Sequence, residues 1–253
     1  NLYKLKDEAE LNTNLIFFHD REQAHGSSQT TYFLPEGTKI IREDLCNRST
    51  INQIEGELRY NINKDKLYFN NLLELKSSWE QENGMASTSE ELEQQMRQRY
   101  LSATNTSHWV RTGEGGRGID ILWRNAVATT PHRLRIRPGL YAPRLNAGVP
   151  YAELSQDVRH RAFLSLAQLS LLSAWRIGRI SVNPTLFLRA QHQTLDTELG
   201  TTSHSQTYQP LPSREMHNGI SFTRLGAGLG HELSYKSEIF SLYAVLPIFY
   251  YHT

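Results

Sequence analysis

Polar and apolar residues alternate with period two along most of the chain. Apolar residues take the even positions of segment 53–62, and polar residues take the odd ones. After a polar turn at 63–66, segment 67–79 alternates again, with Leu72 as an exception. Successive side chains of a β-strand point to opposite faces, so each segment has one apolar and one polar face. The pattern predicts a long β-hairpin.

The same alternation recurs downstream, in 180–191 with Phe187 out of place, and again after residue 219. We therefore predict an all-β, antiparallel fold of about nine strands. The alternation changes parity at Pro131, which predicts a β-bulge in the fifth strand. The predicted strands are roughly 9–19, 51–62, 67–79, 101–111, 119–141, 160–174, 180–192, 219–233 and 239–251.

Short and long connections alternate between these strands. The short ones are 63–66, 112–118, 176–179 and 234–237, and the long polar ones are 20–50, 80–100, 142–159 and 193–218. Within the second long connection, 89–100 is predicted to form a short helix. Several predicted strands are long enough to cross a bilayer, which takes about 9–11 residues of a tilted strand. Aromatic residues lie beside the short turns, as at a membrane interface: Tyr60, Tyr68, Trp109, Trp175 and Tyr235. Together these features favour a transmembrane β-barrel.

The amino-acid composition narrows the possible classes of function. The 253 residues carry 27 Lys and Arg against 26 Asp and Glu, so no basic excess points to nucleic acid. The single cysteine, Cys46, excludes an internal disulfide. Alternation alone also fits a soluble β-sheet binding protein with one wet face, which stays an alternative.

One stretch has the spacing of a dinucleotide-binding loop, with Gly113, Gly115 and Gly118 in a G-x-G-x-x-G pattern. Such a loop opens a helix and is followed about 20 residues later by an acidic residue. Here an alternating, strand-like segment follows, and 133–143 contains no acid. The pattern therefore predicts a turn between two strands.

Other chemistry-bearing residues lack a supporting pattern. His192, His204 and His217 fall in or near a predicted loop without paired metal-ligand spacing. Cys46 has no catalytic histidine pattern beside it. The sequence thus predicts no enzyme: no catalytic, cofactor-binding or metal-ligating residue is assigned, and no cofactor is expected.

Charged residues on the predicted strands have a simpler interpretation. We expect a hydrated lumen to hold the carboxylates of the hairpin: Glu55, Glu57 and Glu74. A second group forms a basic stripe that would attract anionic ligands or sugar acids, on a solvated or lumen-facing strand: Arg133, Arg135 and Arg137.

Several motifs, in order along nearly the whole chain, resemble the barrel of TonB-dependent outer-membrane receptors of the Bacteroidota. They include TTYFLPEGTKIIRED (30–44), EGELRYNINKDKLYFNNLLELKSSWE (55–80), RGIDILWRNAVATTPHRLRIRPG (117–139) and the closing YAVLPIFYY. The resemblance implies a porin-like barrel of about 22 strands around a plug, which imports bulky nutrients across the outer membrane.

This resemblance sets the remaining expectations. Residues 1–253 are expected to be one barrel portion without a separate domain, plug or TonB-contact segment. We expect an internal portion of a longer barrel, or one piece of a multi-chain one. The expected partners are outer-membrane lipid, the TonB system and a surface lipoprotein, with no nucleic acid. The nutrient ligand is unknown, and its binding is expected on the long connections. The alternative is a non-transporting scaffold or secretion-complex subunit.

Overall fold

The computed structural model describes residues 1–6, 8–35, 37–87, 91–137, 151–211, 216–236 and 241–252. They form a 12-stranded sheet and a turn of 3-10 helix at Glu114–Gly116. The strands are β1 (Leu2–Lys4), β2 (Ala9–Leu34), β3 (Gly37–Lys64), β4 (Leu67–Ser87), β5 (Glu91–Thr112), β6 (Gly118–Arg137), β7 (Glu153–Leu172), β8 (Trp175–Ile177), β9 (Ile180–Thr202), β10 (Tyr208–Pro210), β11 (His217–Lys236) and β12 (Ser241–His252).

Every pair of neighbouring strands is antiparallel, and the long strands follow one another in the sheet in chain order. The order is β1-β2-β3-β4-β5-β6-β7-β9-β11-β12, while β8 and β10 pair with β9. In the described part of the chain, no pairing joins β1 or β2 to β12, so the sheet is open there. The predicted all-β, antiparallel fold is confirmed, and nine of the twelve strands are the long ones that alternation predicts.

The connections alternate between two ends of the sheet. At one end, the turn end, β3 joins β4 through Asp65–Lys66 and β5 joins β6 through Gly113–Arg117. At the other, the far end, β2 joins β3 beside Pro35, and residues 203–216 with the short β10 separate β9 from β11. The predicted short turn at 234–237 begins inside β11, and its last residue lies outside the described residues.

The predicted long connections are wrong in extent. Most of 20–50 is paired strand, because β2 and β3 stay in register from Ala9–Ile62 to Leu34–Gly37. Likewise 80–87 and 91–100 belong to β4 and β5, so the predicted helix at 89–100 is an extended strand from Glu91 onward. Of the other two, 153–159 and 193–202 lie in β7 and β9, while 142–150 and 212–215 lie outside the described residues.

The predicted bulge at Pro131 is also wrong. The β5–β6 ladder is interrupted between the pairs Gln98–His132 and Leu101–Thr129, but both pairs fit one register. On the other side, Pro131 stays paired with Arg159. Proline has no backbone N–H, so it removes a ladder hydrogen bond without inserting a residue.

A second layer does not cover this sheet. Among the described residues, only three hydrophobic side chains are buried, namely Ala9, Tyr151 and Leu211. A soluble sandwich would bury one face of each sheet against the other. No helix in the described part of the chain is long and apolar enough to cross a membrane. Many large apolar side chains of the long strands are exposed.

Candidate functional site

The register places most exposed apolar side chains on one face of the sheet. A single hydrogen-bonded row runs through Leu15, Gly56, Leu75, Ala103 and Val127, for example. We call this set the apolar band. Its exposed members include Leu15, Phe17, Ile54, Leu58, Leu75, Leu101, Ile119, Trp123, Val127, Phe163, Leu169, Leu171, Ile180, Leu188, Leu225, Leu229 and Ile248. Leu15 is 77% exposed and Ile248 is 79% exposed, so these side chains face either water or an apolar phase outside the chain.

The apolar band has the height of a bilayer crossing. It covers 9–17 in β2, 101–109 in β5 and 180–190 in β9, close to the about 9–11 residues that a tilted strand needs. The band also drifts across the hydrogen-bonded rows. The row through Phe17 reaches Arg161 in β7, where the apolar residues end at Phe163. Such a drift is expected when strands tilt relative to the band, as in barrels.

A patch of polar side chains interrupts the apolar band. It is formed by Asn71, Asn105, Ser107, Asn125 and Ser165, which share the band's face. Asn71 Nδ2 donates to Ser107 Oγ at 2.6 Å, and Ser165 Oγ donates to Asn125 Oδ1 at 2.8 Å. Because these groups satisfy one another, facing an apolar phase costs them less than it would cost unpaired amides.

The aromatic residues predicted at an interface divide between the faces. Trp175 and Tyr235 share the band's face near the turn end, since they pair with Val182 and Ile180 of β9. Tyr60 and Trp109 lie on the same face, which agrees with an interfacial girdle. Tyr68 lies beside the same turn but on the opposite face, where its ring contacts that of His108 with centroids 5.3 Å apart.

The opposite face, the polar face, carries ion pairs level with the apolar band. Lys76 Nζ lies 2.5 Å from Glu55 Oε1, and Arg59 lies 3.1 Å from Glu57. A cleft of about 390 Å³ opens here, lined in part by Glu74 and Arg124. The predicted placement of Glu55, Glu57 and Glu74 on one polar face is confirmed. This face suits contact with water or a polar ligand.

An apolar residue on the polar face has a local explanation. Phe187, the exception in the alternation of β9, lies opposite Gly228 of β11. An aromatic ring covers the backbone that a cross-strand glycine leaves open. A cleft of about 390 Å³ lies here, lined by Phe187, Arg189, Gly226 and neighbouring residues.

Beyond the apolar band, on the same face, the far end carries seven arginines that we call the arginine cluster. They belong to β5, β6 and β7: Arg97, Arg99, Arg133, Arg135, Arg137, Arg159 and Arg161. The unbroken register keeps the β6 arginines on the face of the apolar band, opposite the polar face. The solvated interpretation agrees with the structure, since Arg133 and Arg137 have about half of their side chains exposed.

Three carboxylates pair with the β6 arginines: Asp157, Glu153 and, at 3.9 Å from Arg137, Glu93. Asp157 accepts two hydrogen bonds from Arg133, and this pairing raises the pKa of the Arg133 guanidinium further above its ordinary value. Glu153, whose side chain is only 7% exposed, accepts a hydrogen bond from Arg137 Nε at 2.7 Å and lies 3.5 Å from Arg135. Bidentate arginine–carboxylate pairs fix geometry as well as charge, so these strands are held rigidly beyond the band.

Tyr208 packs beside the arginine cluster. Its hydroxyl donates to Glu198 Oε1 at 2.5 Å, and burial together with this bond raises the pKa of Tyr208 to about 12. The ring lies over Gly200, where a Cβ atom would be 2.4 Å from it. Glycine at position 200 is thus required for this packing. A cleft of about 700 Å³ lies here, lined in part by Tyr208, Arg133 and His204.

The glycine motif forms a turn, as predicted. Gly115 and Gly116 adopt positive φ angles of 71° and 75° in the exposed connection between β5 and β6. A Cβ atom at Gly118 would lie 2.3 Å from the Arg111 carbonyl oxygen. Glycines are therefore needed for the chain reversal.

The histidines and the cysteine do not converge. His192 lies on β9 with Nδ1 2.9 Å from Thr223 Oγ1, and His217 Nε2 lies 2.9 Å from the Leu211 carbonyl oxygen. Cys46 is a half-buried free thiol on β3. Within the described ranges, no group of three or more His, Cys, Asp or Glu side chains is placed to hold a metal ion.

Sequence reasoning missed the arginine cluster as a unit. Arg133, Arg135 and Arg137 were visible as a stripe, but Arg97 and Arg159 come from strands assigned to loops or cut short. An available signal was the run of alternate arginines in each segment: 97 and 99, 133 to 137, and 159 and 161.

Comparison with solved structures adds a structural likeness. No protein-family model matches the sequence, and no curated protein matches it. Among solved structures, the chain is similar to the ferric yersiniabactin uptake receptor FyuA from Yersinia pestis, with a TM-score of 0.30 and 10% identity. The match covers 91% of this chain and 45% of that chain. A likeness of this size does not assign a family, and kinship with Bacteroidota receptors stays a prediction from the motifs.

Proposed function

We propose that this chain forms part of a transmembrane β-barrel in the outer membrane, with the apolar band facing lipid and the polar face lining the lumen. The observation that carries the proposal is the exposed apolar band, about 9–11 residues high, on a sheet without a covering layer. A soluble sheet with this many exposed large hydrophobics would aggregate. The soluble binding protein is therefore disfavoured.

The orientation is argued from how far the strands extend past the apolar band at each end, because the β2–β3 connection at the far end is as short as the turn at Asp65–Lys66. Barrels of this kind have short periplasmic turns and longer extracellular segments. The turn end, with Asp65–Lys66 and Gly113–Arg117, is accordingly assigned to the periplasm. The far end, where strands continue beyond the band, is assigned to the cell exterior. This arrangement makes the arginine cluster an extracellular feature.

We further propose that the barrel belongs to a receptor for nutrient uptake, of the TonB-dependent type, with the TonB system and a surface lipoprotein as partners. The ordered resemblance of the sequence motifs supports this class, and the charged polar face suits a hydrated path. The proposal assigns no catalytic step to the chain. The nutrient would be met at the extended far end, where the predicted loops are largely rigid strands.

Two experiments test these proposals separately. Membrane fractionation should place the protein with the outer membrane, released only by detergent; recovery in the buffer-soluble fraction would refute the barrel. Growth of a deletion strain on a panel of single nutrients should fall on one nutrient and recover with the restored gene. Unchanged growth together with loss of another outer-membrane complex would instead support the scaffold alternative.

A further inference from the structure

A break in the sheet lies within the arginine cluster. The register places Arg99 and Arg159 on either side of Pro131, and the β5–β6 ladder is interrupted at Pro131 and Thr130. The two arginine backbones are therefore two strand spacings apart, about 10 Å. A cleft of about 300 Å³ opens here, lined in part by Arg97, Arg99, Pro131, Arg133 and Arg159.

The cleft has an excess of unmatched positive charge. Asp157 pairs with Arg133, while Glu153 pairs with residues further from the band. Among the described residues, four other members form no ion pair: Arg97, Arg99, Arg159 and Arg161. Asp196, however, lies opposite Arg159 in the β7–β9 ladder on the same face and partly offsets its charge. Guanidinium groups bind phosphate through paired, charge-assisted hydrogen bonds. The cleft therefore suits a phosphate-bearing ligand.

The position of the cleft, just beyond the apolar band along the membrane normal, points to a lipid ligand. Arg99 lies two residues beyond Leu101 toward the far end, on the same face, and Leu101 is an exposed member of the apolar band. Two residues of a tilted strand rise about 5 Å along the membrane normal. Arg161 likewise adjoins the exposed Phe163. An amphiphile can thus place its phosphate over Pro131 and its acyl chains along the band directly below.

We propose that Arg99 and Arg159 bind a phosphate group of an outer-leaflet lipid in the cleft over Pro131. This inference rests on the proposed function, because it requires the apolar band to face lipid. Arg97 and Arg161 add attraction from either side. Arg133, held by Asp157, forms a fixed part of the cleft wall. Basic residues at a membrane surface attract anionic headgroups in this way.

The test is a titration of the purified protein in neutral detergent with diphosphoryl lipid A, followed by native mass spectrometry. The double variant Arg99→Gln/Arg159→Gln should weaken lipid A binding at least about tenfold, since each arginine contributes separately. The matched control, Arg176→Gln/Arg179→Gln, removes two exposed arginines at the opposite end. It should bind lipid A within about twofold of the wild type.

Two further ligands identify the source of the phosphate. A phosphate-free diacylglycerol should bind wild type and double variant equally, and inorganic pyrophosphate should bind wild type much more weakly than lipid A. Equal lipid A affinity of wild type and double variant overturns the proposal. Pyrophosphate binding as tight as lipid A also overturns it, because the site would then recognise a free anion.

The same preparation separates this inference from the proposed function. Folding into detergent is checked first by heat-modifiable migration on a gel. A protein that folds in detergent but fails the lipid A comparison removes the lipid site alone. A protein that is folded and monomeric in buffer without detergent refutes the barrel, and the lipid site with it.

Discussion

Leu186→Arg places a charge near the middle of the apolar band in β9. Leu186 lies in one row with Leu169 and Leu229, both exposed members of the band. If this face meets hydrocarbon, Leu186 lies close to the bilayer midplane, since the band in this strand covers 180–190. The arginine must then be buried in lipid or bend toward the interface.

The expected loss of stability is large. An arginine on the lipid face at the midplane of a barrel costs about 2–4 kcal/mol. With a urea m-value of about 1–3 kcal/mol/M, the unfolding midpoint should fall by roughly 1–2 M. The assay is reversible urea unfolding of the protein in phospholipid vesicles, followed by tryptophan fluorescence. Fitting the m-value together with the midpoint shows whether the variant exposes the same amount of surface on unfolding as the wild type.

Gln168→Arg is the matched control. Gln168 lies on the polar face opposite Phe187, so it is at nearly the same depth as Leu186. Because this arginine would face water, its cost should stay within about 0.5 kcal/mol. The reasoning is refuted if Leu186→Arg costs less than this, or if the two variants cost the same.

Three further predictions follow from the same structure. Trp123, exposed on the band, should be quenched by lipids brominated in mid-chain and only weakly by aqueous acrylamide, and Trp123→Phe should remove that component. Tyr208 should deprotonate near pH 12 in an absorbance titration. Because folding raises its pKa from 10.0, the stabilisation that Tyr208 gives is full below pH 10.0 and is lost as the pH rises toward 12. The variant Tyr208→Phe should lack this pH dependence. Removing the exposed Glu55–Lys76 pair by Lys76→Met should leave the urea unfolding midpoint nearly unchanged, and a clear fall in that midpoint would mean that the pair is shielded from water.

Much of the fold was accessible from local pattern. Alternation in 53–62 and 67–79 assigned both strands, their faces and the turn between them correctly. Gly113, Gly115 and Gly118 marked a chain reversal because the residues after them alternate as a strand. These inferences succeed because the period of two is a property of each strand, and one apolar face makes it visible.

Strand length was underestimated where that contrast disappears. In 20–34 and 91–100 both faces are largely polar, so the segments resemble loops although backbone pairing continues through them. The prediction of a bulge at Pro131 was wrong because it, too, relied on the position of the apolar residues. The parity of apolar residues changes there because Leu134 and Ile136 lie on the polar face, while the register is unchanged.

The sequence by itself determined which face each residue takes within its own strand, since side-chain direction follows from position along the backbone. Only the tertiary structure decided which residues of different strands become neighbours. Arg99, Pro131 and Arg159 are far apart in the chain and meet because three strands pair in one register. Pairing is a long-range property set by whole ladders, so a charged cleft assembled from three strands has no signature in any one of them.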